Sequence, residues 1–327
     1  MEREITFASA IKEALHEEMK KDKDVYLMGE SVRHSVWGVT RGLNKEFGDT
    51  RVVNTPISES GFVGAAFGSA LLGLRPVVEL IFGDFLLLAA DSIANEIAKY
   101  RYMCGGGGFK APITIRVAGC GIGTGAGPHH SQSLEGSFLN YPGLKIAIPS
   151  TPYDAKGLLK TAIRENNPVL FFEYKLLYGV RGNVPDVEYT IPFGKAKVRR
   201  EGNDITLVAL GHCCYKASIA AEELSKEGIE IEIVDPRTLI PFDKDTLLNS
   251  LKKTNKLIIV EDGIKRGGVG SEIAAIVSEE CLYSLDAPIR RIGGKDAPIP
   301  GSVYGEKLMV PSVEDIINAC RILKSEG

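Results

Sequence analysis

Short apolar runs alternate with amphipathic stretches along most of this 327-residue chain, and this alternation constrains its fold more than any other feature. The apolar runs lie at residues 25–29, 76–82, 112–118, 145–149, 169–173, 205–211, 229–235 and 256–262. Segments with helical spacing separate them, such as residues 8–21, 89–103 and 153–165. Strands that alternate with helices are typical of mainly parallel sheets with helices packed on them. The sequence therefore predicts an α/β fold.

One segment interrupts this alternation. Residues 178–192, YGVRGNVPDVEYTIP, have no helical period and are rich in turn-forming residues, so they are interpreted as a connection. We therefore predict a first domain at residues 1–180, a linker at 181–194 and a second domain at 195–327. The chain length is also in the range of about two domains.

Composition and charge exclude several classes of protein. Lys and Arg (39) nearly balance Asp and Glu (42), so no global basic field would attract nucleic acid or an anionic membrane. No uncharged apolar stretch approaches the roughly 20 residues of a membrane span, and the charged N-terminal segment does not resemble a signal peptide. Six cysteines without C-x-x-C spacing favour reduced thiols. We expect a cytoplasmic protein without nucleic-acid or membrane partners.

The chain contains 36 glycines, more than the usual share of about 7%, and some of them resemble phosphate-binding loops. Residues 118–132, AGCGIGTGAGPHHSQ, follow a predicted strand, but Gly127 and Pro128 stand where a dinucleotide fingerprint needs a helix. RGGVGSE at residues 266–272 lacks the Lys-Ser/Thr ending of a P-loop. Neither segment predicts a nucleotide site.

The segment at residues 54–73, NTPISESGFVGAAFGSALLG, is more specific. Ser58 can cap a helix that opens with Glu59, and small residues such as Gly61, Gly64 and Gly68 then recur at helical spacing. Small residues at this spacing let two helices approach closely, which predicts a helix crossing at a subunit interface. Glu59 is then either a helix-start acid stabilised by the dipole or a carboxylate at a packed contact that needs a partner.

Several long segments together resemble one known family over nearly the whole chain. They are TPISESGFVGAAFGSALLGLRPVVEL, AKYRYMCGG, HSQSLEG, YPGLKIAIPSTPYDAKGLLKTAIRENNPVLFFE, IPFGKAKVRREGNDITLVALG and VDPRTLIPFD. The chain resembles the beta subunit of the thiamine-diphosphate-dependent first component of 2-oxo acid and acetoin dehydrogenase complexes. The resemblance implies a transketolase-like pyrimidine-binding domain with a parallel sheet, then a smaller transketolase C-terminal-like α/β domain, assembled as α2β2.

The resemblance also implies roles for three residues of the first domain, two of them at the start of the small-residue helix and one in the segment FGDF at residues 82–85. Glu59 matches the family's glutamate, which hydrogen-bonds a ring nitrogen of the aminopyrimidine of thiamine diphosphate and so activates the cofactor. This requires a carboxyl that can share a proton, and burial of a carboxyl favours its protonated form. Phe85 matches an aromatic residue that lies against the pyrimidine ring, and Ile57 matches a residue that lines the same pocket, although an isolated Phe85 would more often be a core residue. The family usually has Asp-Gln where this chain has Asp91-Ser92.

His130 matches the histidine of the family's H-S-Q segment, and the resemblance implies a role in reductive acylation of the lipoyl group or in stabilising the intermediate after decarboxylation. A positioned imidazole suits proton transfer near neutral pH. His129 is a second candidate, and the sequence does not decide which of the two faces the site. A histidine pair in a glycine-rich loop is otherwise typical of a solvated turn, or less often of a metal site.

The resemblance also concerns two metal-binding sites of the family, one for potassium and one for magnesium. Family members often hold a potassium ion through backbone carbonyls, and the resemblance places these here at Ile113, Ala162, Ile163, Glu165 and Asn167. The family commonly has Asp where Glu165 stands. The family's magnesium and diphosphate site is a Gly-Asp-Gly segment followed at a distance by Asn, which this chain lacks. We therefore expect an alpha subunit to supply that part of the active site.

The resemblance thus implies an oxidoreductase of a multienzyme complex. The beta subunit would help to cleave a carbon–carbon bond next to a carbonyl and to pass the acyl fragment to the lipoyl groups of an acyltransferase core. We favour acetoin or pyruvate over branched-chain substrates. One alternative is the C-terminal half of a split transketolase or related thiamine-dependent synthase, which would use a sugar phosphate. The other alternative is a non-catalytic assembly subunit.

Overall fold

The computed structural model describes residues 2–326 and divides the chain into two units. The first unit comprises the residues up to Cys120 together with Phe138–Phe193, and the second comprises Gly121–Ser137 together with the residues from Gly194 onward. The second unit is therefore discontinuous in sequence. The predicted domains at 1–180 and 195–327 assign residues 121–137 to the first domain instead, and the predicted boundaries stay a prediction.

The first unit contains eight strands and five α-helices among the described residues. The strands are β1 (Glu2–Thr6), β2 (Val25–Gly29), β3 (Val52–Asn54), β4 (Arg75–Leu80), β5 (Thr114–Cys120), β6 (Lys145–Ala147), β7 (Val169–Tyr174) and β8 (Arg181–Pro185). The helices are α1 (Phe7–Lys21), α2 (Leu43–Phe47), α3 (Glu59–Leu71), α4 (Ala98–Met103) and α5 (Pro152–Arg164). Two 3₁₀ segments, Gly83–Ala89 and Lys175–Leu177, and a π-helical segment, Ser92–Ile97, complete it.

Six strands of this unit form a parallel sheet in the order β6-β7-β5-β4-β2-β3. Every residue of β5 and β7 is buried, as expected for central strands that helices cover on both faces. The prediction of an α/β fold with mainly parallel strands is confirmed. The carboxyl ends of β2, β4 and β5 lie side by side, which is where ligand sites of such sheets form.

Strands β1 and β8 form a separate antiparallel pair, in which Ile5 lies opposite Gly182. The interpretation of residues 178–192 as a plain connection is wrong for residues 181–185, which are β8. The reason is that the partner strand lies at the far N-terminal end of the chain. A short strand with a distant partner carries no local period by which sequence analysis can recognise it.

The second unit contains a smaller mixed sheet in the order β14-β13-β10-β11-β9. The strands of this unit are β9 (Lys197–Arg200), β10 (Ile205–Ala209), β11 (Ile231–Asp235), β12 (Thr238–Ile240), β13 (Leu257–Ile264) and β14 (Arg290–Gly294). β12 does not belong to this mixed sheet, and the strands of the sheet pair in parallel except β9, which pairs antiparallel with β11. Its helices are α6 (Cys213–Ser225), α7 (Lys244–Thr254), α8 (Val269–Cys281), α9 (Val303–Lys307) and α10 (Val313–Ser325). The remaining 3₁₀ turns of the chain are Glu135–Phe138 and Leu282–Ser284.

Helices α6 and α10 pack on this sheet and contribute Ala217, Leu224, Ile316 and Leu323 to a shared apolar core. The predicted N-cap of α10 is confirmed: the Ser312 hydroxyl accepts from the Asp315 N–H, and the Asp315 carboxylate accepts from the Ser312 N–H. Among residues 2–326, no helix has both the length and the apolar character that a membrane crossing requires.

Candidate active site

Glu59 is the first residue of α3, as predicted, and its side chain is buried at 5% exposure. Ser58 holds the N-cap position, but its side chain forms no capping hydrogen bond, so that expectation is wrong. Its hydroxyl lies over Gly61 instead, where an added Cβ would stand 2.7 Å from Ser58 Oγ. Within residues 2–326, Glu59 Oε1 has no hydrogen-bond partner. A buried carboxylate oxygen without a partner is costly, so this atom fits a donor from outside the chain.

Glu30 is a second buried carboxylate near Glu59, and sequence analysis missed it. It follows the carboxyl end of β2, and its Oε2 atom also lacks a hydrogen-bond partner within the described part of the chain. Burial raises the pKa of Glu30, and the nearby charges of Glu59 and Glu79 raise it further. Its position directly after a parallel strand was the available signal, because polar residues at this edge commonly line a site.

Phe85 lies in the 3₁₀ segment Gly83–Ala89, against which α3 packs. Its ring meets Phe82 edge to face at 5.8 Å, and Phe82 in turn meets Trp37 at 5.4 Å. The structure thus brings the segment that carries Phe85 to the helix that carries Glu59. Ile57, by contrast, is 80% exposed in the single chain.

A buried ion network lies in the sheet of the first unit. Arg116 on β5 donates to Glu173 on β7 through Nε and Nη2, at 2.6 and 2.7 Å, and to Glu79 on β4 through Nη1. Burial alone would lower the pKa of Arg116, but Glu173 and Glu79 raise it above its usual value. The Tyr178 hydroxyl donates to Glu173 at 2.9 Å, and its ring stacks on Trp37. The network therefore joins three central strands to the aromatic residues behind Phe85.

The small-residue face of α3 is exposed in the single chain. Gly61, Gly64 and Gly68 are exposed, and a Cβ added at Gly64 or Gly68 would meet no described atom within 4 Å. Leu72, at the end of the same helix, is 88% exposed. Within residues 2–326, no second helix covers these glycines, so the close contact that the spacing predicts would have to come from another chain.

The two histidines lie in the loop Gly121–Ser137, which belongs to the second unit. His130 is half-buried, and its backbone N–H donates to Gly127 O at 3.2 Å. His129 is exposed and lines a cavity of about 530 Å³ in the second unit, whereas His130 does not line that cavity. The two imidazoles thus have different surroundings, which makes their separate substitution informative.

Glu261, within β13, lines the same cavity and is buried. Added Cβ atoms at Gly268 and Gly270 would stand 2.6 Å from its carboxylate oxygens, so the N-terminus of α8 closes tightly over it. Burial raises the pKa of Glu261 to about 7, although the Gly270 N–H donates to Oε1 at 3.1 Å and Arg291 lies 3.6 Å away.

This raised pKa predicts a pH-dependent stability. Between the unfolded pKa of about 4.5 and the folded value of about 7, the folded state binds the proton more tightly, so stability falls as pH rises through this window. Relative to a Glu261→Gln variant, the wild-type chain should lose up to about 3 kcal/mol of unfolding free energy between pH 4.5 and 7. Urea unfolding of both chains at several pH values measures this difference. A constant difference across the window would contradict the prediction.

The residues of the predicted potassium site gather at one end of the first sheet. Glu165 and Asn167 follow α5, which contains Ala162 and Ile163, while Ile113 O accepts from the Val169 N–H at 3.0 Å. Arg75 donates to the carbonyl oxygens of Ile163 and Glu165, at 3.1 and 3.0 Å. The Glu165 carboxylate itself pairs with Lys145. A cation here would share its ligands with a guanidinium.

The described residues contain no group of three or more His, Cys, Asp or Glu side chains placed to hold a metal ion. Asp262, in the segment that most resembles Gly-Asp-Gly, is engaged elsewhere. Burial opposes its ionisation, but Lys216, at 2.9 Å, and His212 hold the pKa of Asp262 below its usual range. Asp262 is therefore part of a buried ion pair.

Family models match both halves of the chain. Residues 3–181 match the model for the transketolase pyrimidine-binding domain, and residues 194–316 match that for the transketolase C-terminal domain. The solved structure of a split gene transketolase, described as an inactive beta4 tetramer, has a TM-score of 0.78 with 24% sequence identity and covers 98% of both chains. These findings confirm the predicted two-domain transketolase-like fold.

Proteins similar in sequence over their full length indicate the family more narrowly than the fold does. The beta subunit of acetoin:2,6-dichlorophenolindophenol oxidoreductase from Bacillus subtilis is 46% identical over 100% of this chain and 99% of its own length. The beta subunit of 2-oxoisovalerate dehydrogenase from the same organism is 44% identical over 98% of both chains. The beta subunit of the pyruvate dehydrogenase E1 component from Rickettsia felis is 44% identical over 97% of this chain and 98% of its own.

Proposed function

The chain belongs to the family of beta subunits of thiamine-dependent dehydrogenases, and we propose that it pairs with an alpha subunit as an α2β2 enzyme for acetoin or pyruvate. This enzyme cleaves a carbon–carbon bond next to a carbonyl and passes the acyl fragment to lipoyl groups. The observation that carries the proposal is Glu59, whose buried Oε1 atom has no partner within residues 2–326 at the start of α3.

Thiamine diphosphate, when bound, supplies an electron sink for the cleaved bond. The residues of this chain that would hold its aminopyrimidine are Glu59, Ile57 and Phe85. Glu59 would share a proton between Oε1 and a ring nitrogen, and its burial keeps water from competing for that bond. Ile57 is exposed in the single chain, so its contact requires the assembled enzyme. Magnesium and the diphosphate would be held by the alpha subunit.

The substrate is tested with the assembled enzyme. The chain is co-produced with an alpha subunit that carries Gly-Asp-Gly, and reduction of 2,6-dichlorophenolindophenol is followed with acetoin, pyruvate and 2-oxoisovalerate in turn. We expect the highest kcat/KM with acetoin or pyruvate, and acylation of an added lipoyl domain with the same substrate. Transfer of the fragment to an aldose phosphate, without lipoyl acylation, would instead indicate a split transketolase.

The exposed glycines of α3 support the proposed alpha partner and give a direct test of it. Gly64→Leu should abolish co-elution with the alpha subunit, because a leucine side chain prevents close approach of a second helix. The free beta chain should keep its unfolding temperature, since a Cβ at Gly64 meets no described atom and leucine favours helix more than glycine does. Size-exclusion chromatography and thermal unfolding measure the two effects. Gly64→Ala is the matched control and should retain binding; full binding by Gly64→Leu would reject this interface.

The resemblance implies a potassium ion at Ile113, Ala162, Ile163, Glu165 and Asn167, and we propose instead that Arg75 takes the place of this cation in the present chain. The contacts of Arg75 argue against a bound potassium ion, because two like charges about 4 Å apart repel by about 4 kcal/mol at an effective dielectric constant of about 20. We expect the same unfolding temperature for the beta chain in potassium chloride and sodium chloride at equal concentration. A rise specific to potassium would establish the site.

A further inference from the structure

One buried carboxylate in the second unit holds both sides of the loop that carries the two histidines. Glu306, in α9, is fully buried. Its Oε2 atom accepts from the Gly123 N–H at 2.9 Å, and its Oε1 atom accepts from the Ser131 hydroxyl at 2.8 Å. Residues 124–130, which include His129 and His130, lie between these two anchors. Because the two oxygens of one buried carboxyl group accept from the two ends of the loop, Glu306 links both ends to α9.

Other contacts of the loop agree with a fixed conformation. At its base, the Gly121 N–H donates to Gln132 O at 3.0 Å. Gly125 adopts a positive φ of 67°, and an added Cβ there would stand 3.0 Å from the backbone nitrogen of Val303, at the start of α9. The loop therefore lies directly on the helix that carries Glu306. A side chain at position 125 would push the loop away from α9.

We propose that Glu306 is a positioning residue that places His130 for its step in catalysis. Ser131 directly follows His130, so the bond from its hydroxyl to Glu306 fixes the backbone on one side of the imidazole. Gly123 fixes the other end of the loop through the second oxygen of the same carboxylate. This inference rests on the proposed role of His130 and adds to it a residue far away in sequence.

Three variants of Glu306 and its neighbours separate positioning from general stability. Glu306→Ala removes both anchors, and we expect lipoyl acylation by the assembled enzyme to fall by about 10-fold or more, because small misplacements of a reacting group are costly. Glu306→Gln should restore most of this loss, since its amide oxygen can accept from Gly123 and its amide nitrogen can donate to Ser131. Lys307→Ala, the exposed neighbour, is the matched control and should match the wild type.

A double-mutant cycle distinguishes a positioning role of Glu306, exerted through His130, from a merely structural role. If Glu306 acts through His130, adding Glu306→Ala to a His130→Ala enzyme causes no further loss of lipoyl acylation. An equal additional loss in that background would show a merely structural role and overturn the inference. Normal acylation by His130→Ala alone would instead refute the proposed role of His130, so the two failures are distinguishable.

Hydrogen exchange of the full beta chain provides a readout that is independent of activity. Peptides covering residues 122–132 should exchange faster in Glu306→Ala than in the wild type, and Glu306→Gln should restore their protection. Unchanged protection in Glu306→Ala would overturn the inference. If Glu306→Ala does not fold, Ser131→Ala removes one anchor only, and it should lower lipoyl acylation in the same direction by a smaller factor.

Discussion

Replacing Glu59 by glutamine is expected to lower the overall activity of the assembled enzyme by about 100-fold or more. The amide has nearly the same shape as the carboxyl, but it cannot share a proton with a ring nitrogen in the way that a carboxyl can. Because Glu59 Oε1 has no partner within residues 2–326, the substitution breaks no described hydrogen bond of that atom. The measurement is dye-linked activity of the α2β2 enzyme at saturating thiamine diphosphate.

Stability and a matched variant separate this role from that of an ordinary helix-start acid. Glu314→Gln alters an exposed acid in the first turn of α10 and should change neither activity nor fold. Glu59→Gln should unfold at about the same temperature as the wild type, since Oε1 has no hydrogen bond to lose within residues 2–326. It should also lower the pKa of Glu30, which the charge of Glu59 helps to raise. Normal activity of Glu59→Gln would refute the catalytic role and favour a non-catalytic subunit.

Replacing His130 by alanine is expected to lower lipoyl acylation by about 100-fold, within the range that a positioned acid or base contributes. The dye-linked reaction should fall less if His130 acts mainly at the transfer to lipoyl. The structure provides a rationale for choosing this residue over its neighbour, because His130 is half-buried next to the anchored Ser131. Single-turnover acylation of a lipoyl domain is the direct measurement.

His129→Ala serves as the comparison for this prediction. Its side chain is exposed and lines the cavity near Glu261, so we expect at most a few-fold effect on acylation. Equal unfolding temperatures of both variants would exclude a stability effect. If His129→Ala lowered acylation more than His130→Ala does, the catalytic role would belong to His129 and not to His130.

The features that sequence analysis predicted well are local ones. The apolar run at residues 25–29 is β2 in full, and α3 begins at Glu59, because buried parallel strands and helix starts leave short, readable patterns. The predicted helix at residues 89–103 contains a π-helical turn, Ser92–Ile97, ahead of α4. Helical spacing alone does not distinguish such a turn from a regular α-helix.

The features that it missed depend on distant partners. The nearness of Glu30, directly after β2, to Glu59, at the start of α3, is visible only in the structure, and β8 is recognised only by its pairing with β1. In the sequence, Glu306 does not differ from other acidic residues in short helices. Only the structure shows that Gly123 and Ser131 donate to its two oxygens. The roles of Glu59, Phe85 and His130 came from the family resemblance and stay predictions until they are measured.

The discontinuity of the second unit has a consequence for protein engineering. A fragment that begins near residue 194, as the match to the C-terminal family model suggests, would lack the segment Gly121–Ser137. Glu306 would then remain in the fragment without the hydrogen bonds from Gly123 and Ser131, which help to offset the cost of burying its carboxyl group. An exchange of C-terminal domains between two relatives would therefore have to transplant the histidine loop as well, as two separate pieces of sequence.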